Sequence, residues 1–163
     1  TYTTYEKIAK AAQLRRFNLI LDTSADFVPD LLKYRPYLIK PNDEELAEWF
    51  GLINPSLEEI KDCGQKLLEK GAENVLVSLG EKGAILFTPT ETIHVTAPKG
   101  EVVNTACAGD TLLATFVGSQ LLGLSNEEAL IKAVAAGSST AFRPGLTDFS
   151  DVPTLMQQIK RIL

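Results

Sequence analysis

Apolar positions along this chain switch between two periods, and the switching divides it into short strands and amphipathic helices. Tyr5, Ile8, Ala9 and Ala12 fall at i, i+3, i+4 and i+7, which predicts a helix over residues 3–16. Phe17 to Leu21 is a short, mainly apolar run closing on Asp22, the pattern of a buried strand with a polar C-terminal tip. A helix is expected over residues 26–34, then a second buried strand, Tyr37-Leu38-Ile39, closed by Lys40-Pro41-Asn42. Asp43 to Phe50 reads as a helix stopped by Gly51.

Ser56 followed by Glu59 has the spacing of a capping box, and Leu57, Ile60, Leu67 and Leu68 share one helical face that runs out at Gly71. Residues 74–79 form the third buried strand. Ala84 to Thr88 and Thr92 to Thr96, joined through Pro89-Thr90-Glu91, read as a β-hairpin. Helices over residues 108–123, 126–142 and 152–163 close the chain. The second opens on another capping box, Ser125 with Glu128, and the third carries Val152, Leu155, Met156, Ile159 and Ile162 on one side.

This alternation predicts an α/β fold of three layers, αβα, with a mostly parallel sheet covered on both faces, in a single domain over residues 1–163. Ligands of such sheets sit beyond the C-terminal ends of the strands, which directs attention to Asp22–Ser24, Lys40–Asn42 and Ser78–Gly80. A net charge of −5 without a Lys/Arg stripe sets nucleic acid aside as a partner. No apolar run reaches the roughly 18 residues of a membrane span, and no secretory signal opens the chain. Two cysteines, Cys63 and Cys107, are too few for a disulfide framework, and His94 alone is too little for zinc chemistry. A reduced, cytoplasmic protein is expected.

Candidate chemistry concentrates in Asn104-Thr105-Ala106-Cys107-Ala108-Gly109-Asp110-Thr111, which runs straight into an apolar helix. A tight turn into a helix start aims free N–H groups at whatever lies in front of it, and such a start binds anions. Asp110 adds a carboxylate in the same turn. Beside a phosphate cradle its use would be to take a proton from the attacking hydroxyl; as a plain helix feature it would complement the macrodipole. Two weaker signals accompany the loop. Asn42 and Glu45 have capping-box spacing, and the same pair beside Lys40 could order water around Mg²⁺; the two readings are compatible. Ser78-Leu79-Gly80-Glu81-Lys82-Gly83 is either a plain turn or a place where backbone approaches a ligand closely. Neither a Walker pattern nor a Gly-x-Gly-x-x-Gly fingerprint is present, so a Rossmann-type oxidoreductase is disfavoured.

In their order and spacing, Leu21-Asp22-Thr23-Ser24, Tyr37 to Glu45, Val77 to Gly83 and Asn104 to Asp110 resemble the phosphofructokinase B family of ribokinase-like sugar kinases, most of all its 1-phosphofructokinase and tagatose-6-phosphate kinase branch. The resemblance implies the ribokinase-like, Rossmann-like fold, truncated on its N-terminal side, and transfer of the ATP γ-phosphoryl to a phosphorylated ketohexose, such as fructose 1-phosphate to fructose 1,6-bisphosphate. It implies Asp110 as the base, the amides of Ala108, Gly109 and Asp110 as an anion hole, and Asn42 and Glu45 as the Mg²⁺ and phosphate motif. Lys40, Ser78, Gly80, Gly83, Asn104 and Cys107 would lie along ATP. K⁺ is a further cofactor candidate: the loops Pro98-Lys99-Gly100-Glu101 and Phe142-Arg143-Pro144-Gly145 either touch nucleotide or such a monovalent cation or are plain connections, and the full-length protein is expected to be a homodimer. The alternatives are a tagatose-6-phosphate kinase or a non-catalytic nucleotide-binding fragment.

Two departures from the family pattern stand out. The usual first glycine of Gly-x-Gly-Asp is Cys107 here, expected to be a tolerated small residue with no need of positive φ; a redox-sensing thiol is the other reading. Family members are about twice as long, and Thr1 is not an initiator methionine. The chain is therefore read as the nucleotide-side, C-terminal half, lacking the sugar-binding residues, inactive by itself, and with part of its sheet left open at an edge strand.

Overall fold

Helix α1 (Tyr2–Arg15) buries Ala9 and Ala12 and ends where Arg16 turns left-handed. β1 (Ile20–Leu21) follows, then α2 (Val28–Leu31) and a 3₁₀ turn over Leu32–Tyr34. The single helix expected over residues 26–34 is thus shorter and changes pitch, because Pro29 seats at its first turn and lacks an N–H for any earlier start. β2 (Leu38–Ile39) leads into α3 (Asp43–Phe50), closed by Gly51 at φ 66° as predicted. α4 (Leu57–Glu69), β3 (Val75–Ser78), a 3₁₀ turn over Gly80–Lys82, β4 (Ala84–Phe87) and β5 (Thr92–Val95) come next. α5 (Ala108–Leu121), α6 (Asn126–Ala141) and α7 (Val152–Met156) complete the chain. This computed structural model describes residues 1–163.

The strands lie in the order β1-β2-β3-β4-β5. The chain divides into two compact units, one of Thr1–Ser78 with Leu86–Thr92, the other of Leu79–Ile85 with Ile93–Leu163. In the first unit β1 and β2 are parallel, Ile20 opposite Leu38 and Leu21 opposite Ile39, and β3 extends the parallel run with Ile39 opposite Val75. Leu38, Ile39, Val75, Leu76 and Val77 are completely buried, so both faces of these strands are covered, as their unbroken apolar runs predict. α4 packs on β3 and α3 on α4.

In the second unit α5 and α6 lie against each other along their length, and α7 packs on α6. Small residues make this approach possible: Ala129, Ala133, Ala135, Ala136 and Ser139 of α6 are buried against their surroundings. The last expected helix is overturned. α7 stops at Met156, and residues 160–163 instead run beside β5, with Thr96 N–H donating to the Lys160 carbonyl (2.9 Å), Ile162 N–H to His94 (2.7 Å) and Val95 bridged antiparallel to Arg161. Of the two apolar residues expected to extend the α7 face, Ile159 is buried but Ile162 is 60 % exposed. The open N–H and C=O groups of residues 94–96 claimed the segment. No helix is long and apolar enough to cross a membrane.

Candidate functional site

In the first unit the polar residues follow directly on the parallel strands. Lys40 continues β2, its N–H donating to the Leu21 carbonyl at 3.1 Å, and its side chain is only 8 % exposed. A buried ammonium needs a counter-charge, and Asp22 at the tip of β1 supplies it, with Oδ1 3.2 Å from Nζ. Asp22 is a functional-site neighbour that motif spacing did not pair with Lys40. Ser78 ends β3, and its N–H donates to Pro41 (3.1 Å), so that Ser78 and Asn42 form a parallel bridge beyond the strands proper. Lys40, Asn42, Glu45 and Ser78 are thus brought to one end of the first unit's sheet.

Asn42 is the N-cap of α3. Its Oδ1 accepts from Glu45 N–H (2.7 Å), and Glu45 Oε2 accepts from Asn42 N–H (3.0 Å), which is the capping box in full. These bonds leave Glu45 Oε1 as the one anionic oxygen of the pair without a cap role. The chain contains no cluster of three or more His, Cys, Asp or Glu side chains able to cage a metal. A single carboxylate oxygen free of cap bonds is the kind of group that meets a hydrated divalent cation through its water shell.

The second unit holds the remaining residues. Gly80 (φ 55°) has open space where a Cβ would be, whereas at Gly83 (φ 95°) a Cβ would stand 1.9 Å from the Val95 carbonyl oxygen. Gly83 is dictated by the close pass of two backbones, with the Leu79 N–H on its carbonyl at 2.8 Å. Val103 N–H and Asn104 N–H both donate to Ala141, the last residue of α6 (2.8 and 3.1 Å). Asn104 then folds its own loop: Oδ1 accepts from Ala106 N–H at 3.0 Å, and Nδ2 donates to the Pro144 carbonyl at 3.4 Å.

Cys107 corrects an expectation. It does need positive φ (62°), as the N-cap of α5. A non-glycine residue there stores on the order of 1 kcal/mol. The thiol is exposed, whereas Cys63 is buried and pushed up in pKa, by burial first of all. The start of α5 differs from the other long helices beyond the first unit's N-terminal one. α3, α4 and α6 each open on a complete capping box, while α5 has no side-chain cap. Ala108 N–H is turned to the Thr105 carbonyl (3.2 Å), so it is less available than the resemblance implies. The N–H groups of Gly109 and Asp110 have no backbone acceptor, the first helical bond being Thr111 N–H to Cys107 (2.9 Å). Gly109, Asp110 and the exposed Asp110 carboxyl therefore share one open helix start.

Comparison with known proteins identifies the family of the chain. A family model described as pfkB family carbohydrate kinase matches residues 1–154. The chain is 50 % identical to the D-tagatose-1-phosphate kinase of Bacillus licheniformis over 96 % of its own length and 52 % of the relative's. It is 39 % identical to the 1-phosphofructokinase of Bacillus subtilis, covering 98 % of this chain and 52 % of that one. It superimposes on the ribokinase of Arabidopsis thaliana, solved with ribose and ATP, with a TM-score of 0.80 at 32 % identity, over 93 % of this chain and 51 % of the other. The chain spans about half the length of the curated relatives it matches.

Proposed function

The chain belongs to the pfkB family of carbohydrate kinases, and on that footing we propose that it carries the catalytic and nucleotide-side residues of an ATP-dependent sugar-phosphate kinase. The observation that carries the proposal is the uncapped start of α5, with the N–H groups of Gly109 and Asp110 free and the Asp110 carboxylate beside them. As the sugar hydroxyl attacks the γ-phosphorus and the bond from that phosphorus to the departing ADP oxygen breaks, the hydroxyl proton passes to the Asp110 carboxylate. The two N–H groups stabilise negative charge gathering on the transferred phosphoryl oxygens. Lys40 supports the phosphates as a point charge, with Ser78, Gly80, Asn104 and Cys107 along the nucleotide. Mg²⁺, when bound, neutralises phosphate charge, and Asn42 and Glu45 are the residues that would order its water shell. The same reading places K⁺ near residues 142–145 and makes the full-length enzyme a cytoplasmic homodimer.

The acceptor is a phosphorylated ketohexose. The names of the two Bacillus relatives both carry a ketose 1-phosphate, which favours that class, fructose 1-phosphate among it, over a 6-phosphate. Because relatives are twice as long, this chain alone is expected to turn over no sugar phosphate. Titration of the chain with MgATP, MgADP and NADH tests the reading. Saturable binding of the adenine nucleotides with Mg²⁺ is expected; preference for NADH, or binding of none of the three, overturns it.

A further inference from the structure

The start of α5 is held from one side by α6 and by the segment that follows it, whose side chains take no part in the proposed phosphoryl transfer. α6 runs beneath it so closely that a Cβ on Gly137 would stand 3.0 Å from the Ala108 carbonyl oxygen. One turn further on, Thr140, 1 % exposed, donates its hydroxyl to Thr111 Oγ1 at 3.1 Å, one residue past Asp110. A hydroxyl has a single proton. Thr140 can point it at Thr111 reliably because the Thr147 N–H occupies its acceptor side, also at 3.1 Å.

Thr147 is in turn fixed through its hydroxyl, which accepts from the Phe149 N–H at 2.9 Å. Its Oγ1 lies 2.6 Å from Ser139 Oγ, and Ser139 donates to Asp151 Oδ1 at 2.5 Å. Arg143 spans the segment, Nη1 2.7 Å from Asp148 Oδ1 and Nη2 2.9 Å from Asp151 Oδ2. The next residue, Pro144, receives the Asn104 amide from the loop that leads into α5. Arg143 therefore stands between both attachments of the helix start, the Asn104 loop and the Thr147–Thr140–Thr111 relay. The Ser150 hydroxyl and N–H, then Arg143, hold the Asp148 carboxyl well below the usual range. At Asp151 burial works in the opposite direction, but Ser139 and Arg143 outweigh it.

We infer that Arg143, by latching residues 147–151 through Asp148 and Asp151, is a positioning residue that sets the orientation of the first turn of α5 and hence of Asp110. The inference rests on the reading of Asp110 as the general base. An effect of this kind matters because a misplacement of about 1 Å at reacting groups costs on the order of 100-fold in rate. Lysine cannot reproduce the latch fully, since one ammonium does not hold two carboxylates as a planar fork does.

The test uses the whole chain, with Arg143→Ala and Arg143→Lys, and three readouts: hydrogen exchange of residues 104–112, the rate at which Ellman's reagent modifies exposed Cys107, and MgADP affinity. Arg143→Ala is expected to raise local exchange and Cys107 reactivity about fivefold, within the scale of the two exposed ion pairs it removes, with residues 126–135 unchanged and Arg143→Lys intermediate. Wild-type values at 104–112 in Arg143→Ala overturn the inference, and so does an increase spread evenly over the second unit. Should Arg143→Ala not fold, Thr140→Val, which keeps the shape and removes the relay hydroxyl, must give the same local increase or the inference falls. A wild-type chain that binds no MgADP defeats the kinase reading while exchange and thiol rates still decide whether Arg143 orients the helix.

Discussion

Lys40 and Asp22 meet at the tips of neighbouring parallel strands, Nζ 3.2 Å from Oδ1, with the lysine 8 % exposed and the aspartate 27 %. The pair answers the burial of an ammonium that the proposed reaction needs for phosphate. Asp22→Ala leaves that ammonium without a counter-charge, and because the aspartate is partly exposed a loss of about 3 kcal/mol, the low end for a broken buried pair, is expected from urea unfolding. MgATP should then raise the melting temperature of Asp22→Ala more than that of the wild type, because phosphate takes the place of the carboxylate. Equal shifts would show that Lys40 does not face the nucleotide.

Asn42 serves both the cap of α3 and, on the proposed function, the nucleotide, and two substitutions separate these roles. Asn42→Ala removes the acceptor of the Glu45 N–H and should cost about 1 kcal/mol in stability. Asn42→Ser keeps a capping oxygen, so its stability should stay within a few tenths of a kcal/mol of wild type. Both are expected to weaken MgATP binding by calorimetry. Unaltered affinity in Asn42→Ser would reduce Asn42 to a helix cap.

Backbone sign makes opposite predictions at Cys107 and Gly83. Cys107→Gly removes left-handed strain at φ 62° and should stabilise by up to about 0.5 kcal/mol after the extra entropy of the unfolded glycine is counted. Gly83→Ala drives a methyl into the Val95 carbonyl, 1.9 Å away, and should destabilise severely, by about 3 kcal/mol or more. Chemical denaturation of the two variants against wild type reads both signs.

The carboxyls of Glu59 and Glu128 are held low by their Ser56 and Ser125 partners. A depressed folded pKa contributes stability that is present above the unfolded value, near pH 4.3, and disappears as pH falls through the folded value. Glu128→Gln should therefore be less stable than wild type at pH 6, with the gap closing at pH 2.5. A gap independent of pH would mean that the carboxylate charge adds nothing to the cap.

What could be read from residues alone follows the range of the interactions involved. The capping boxes at Asn42, Ser56 and Ser125 are local, three residues from donor to acceptor, and all three form as spaced. The parallel strands were legible because burial on both faces leaves an unbroken apolar run. Residues 160–163 were not, because their partner is the edge of β5, more than sixty residues earlier, as the Lys160 N–H to Thr96 hydroxyl bond illustrates. Distance in sequence also hid the Asp22 partner of Lys40 and the Arg143 latch. At Cys107 the helix start was recognisable, but its left-handed φ is set by the turn geometry, and a cysteine gives no sign of it.

The central claim, that Asp110 is the base of a sugar-phosphate kinase, is tested most directly in a chimera. This chain replaces the half it matches in the Bacillus licheniformis relative, and phosphoryl transfer from MgATP to a ketohexose 1-phosphate is measured. The account predicts turnover by the chimera, and loss of turnover by at least about a thousandfold in its Asp110→Asn form with MgATP affinity retained. A folded chimera that binds MgATP and transfers nothing, or an Asp110→Asn form as fast as its parent, would contradict it.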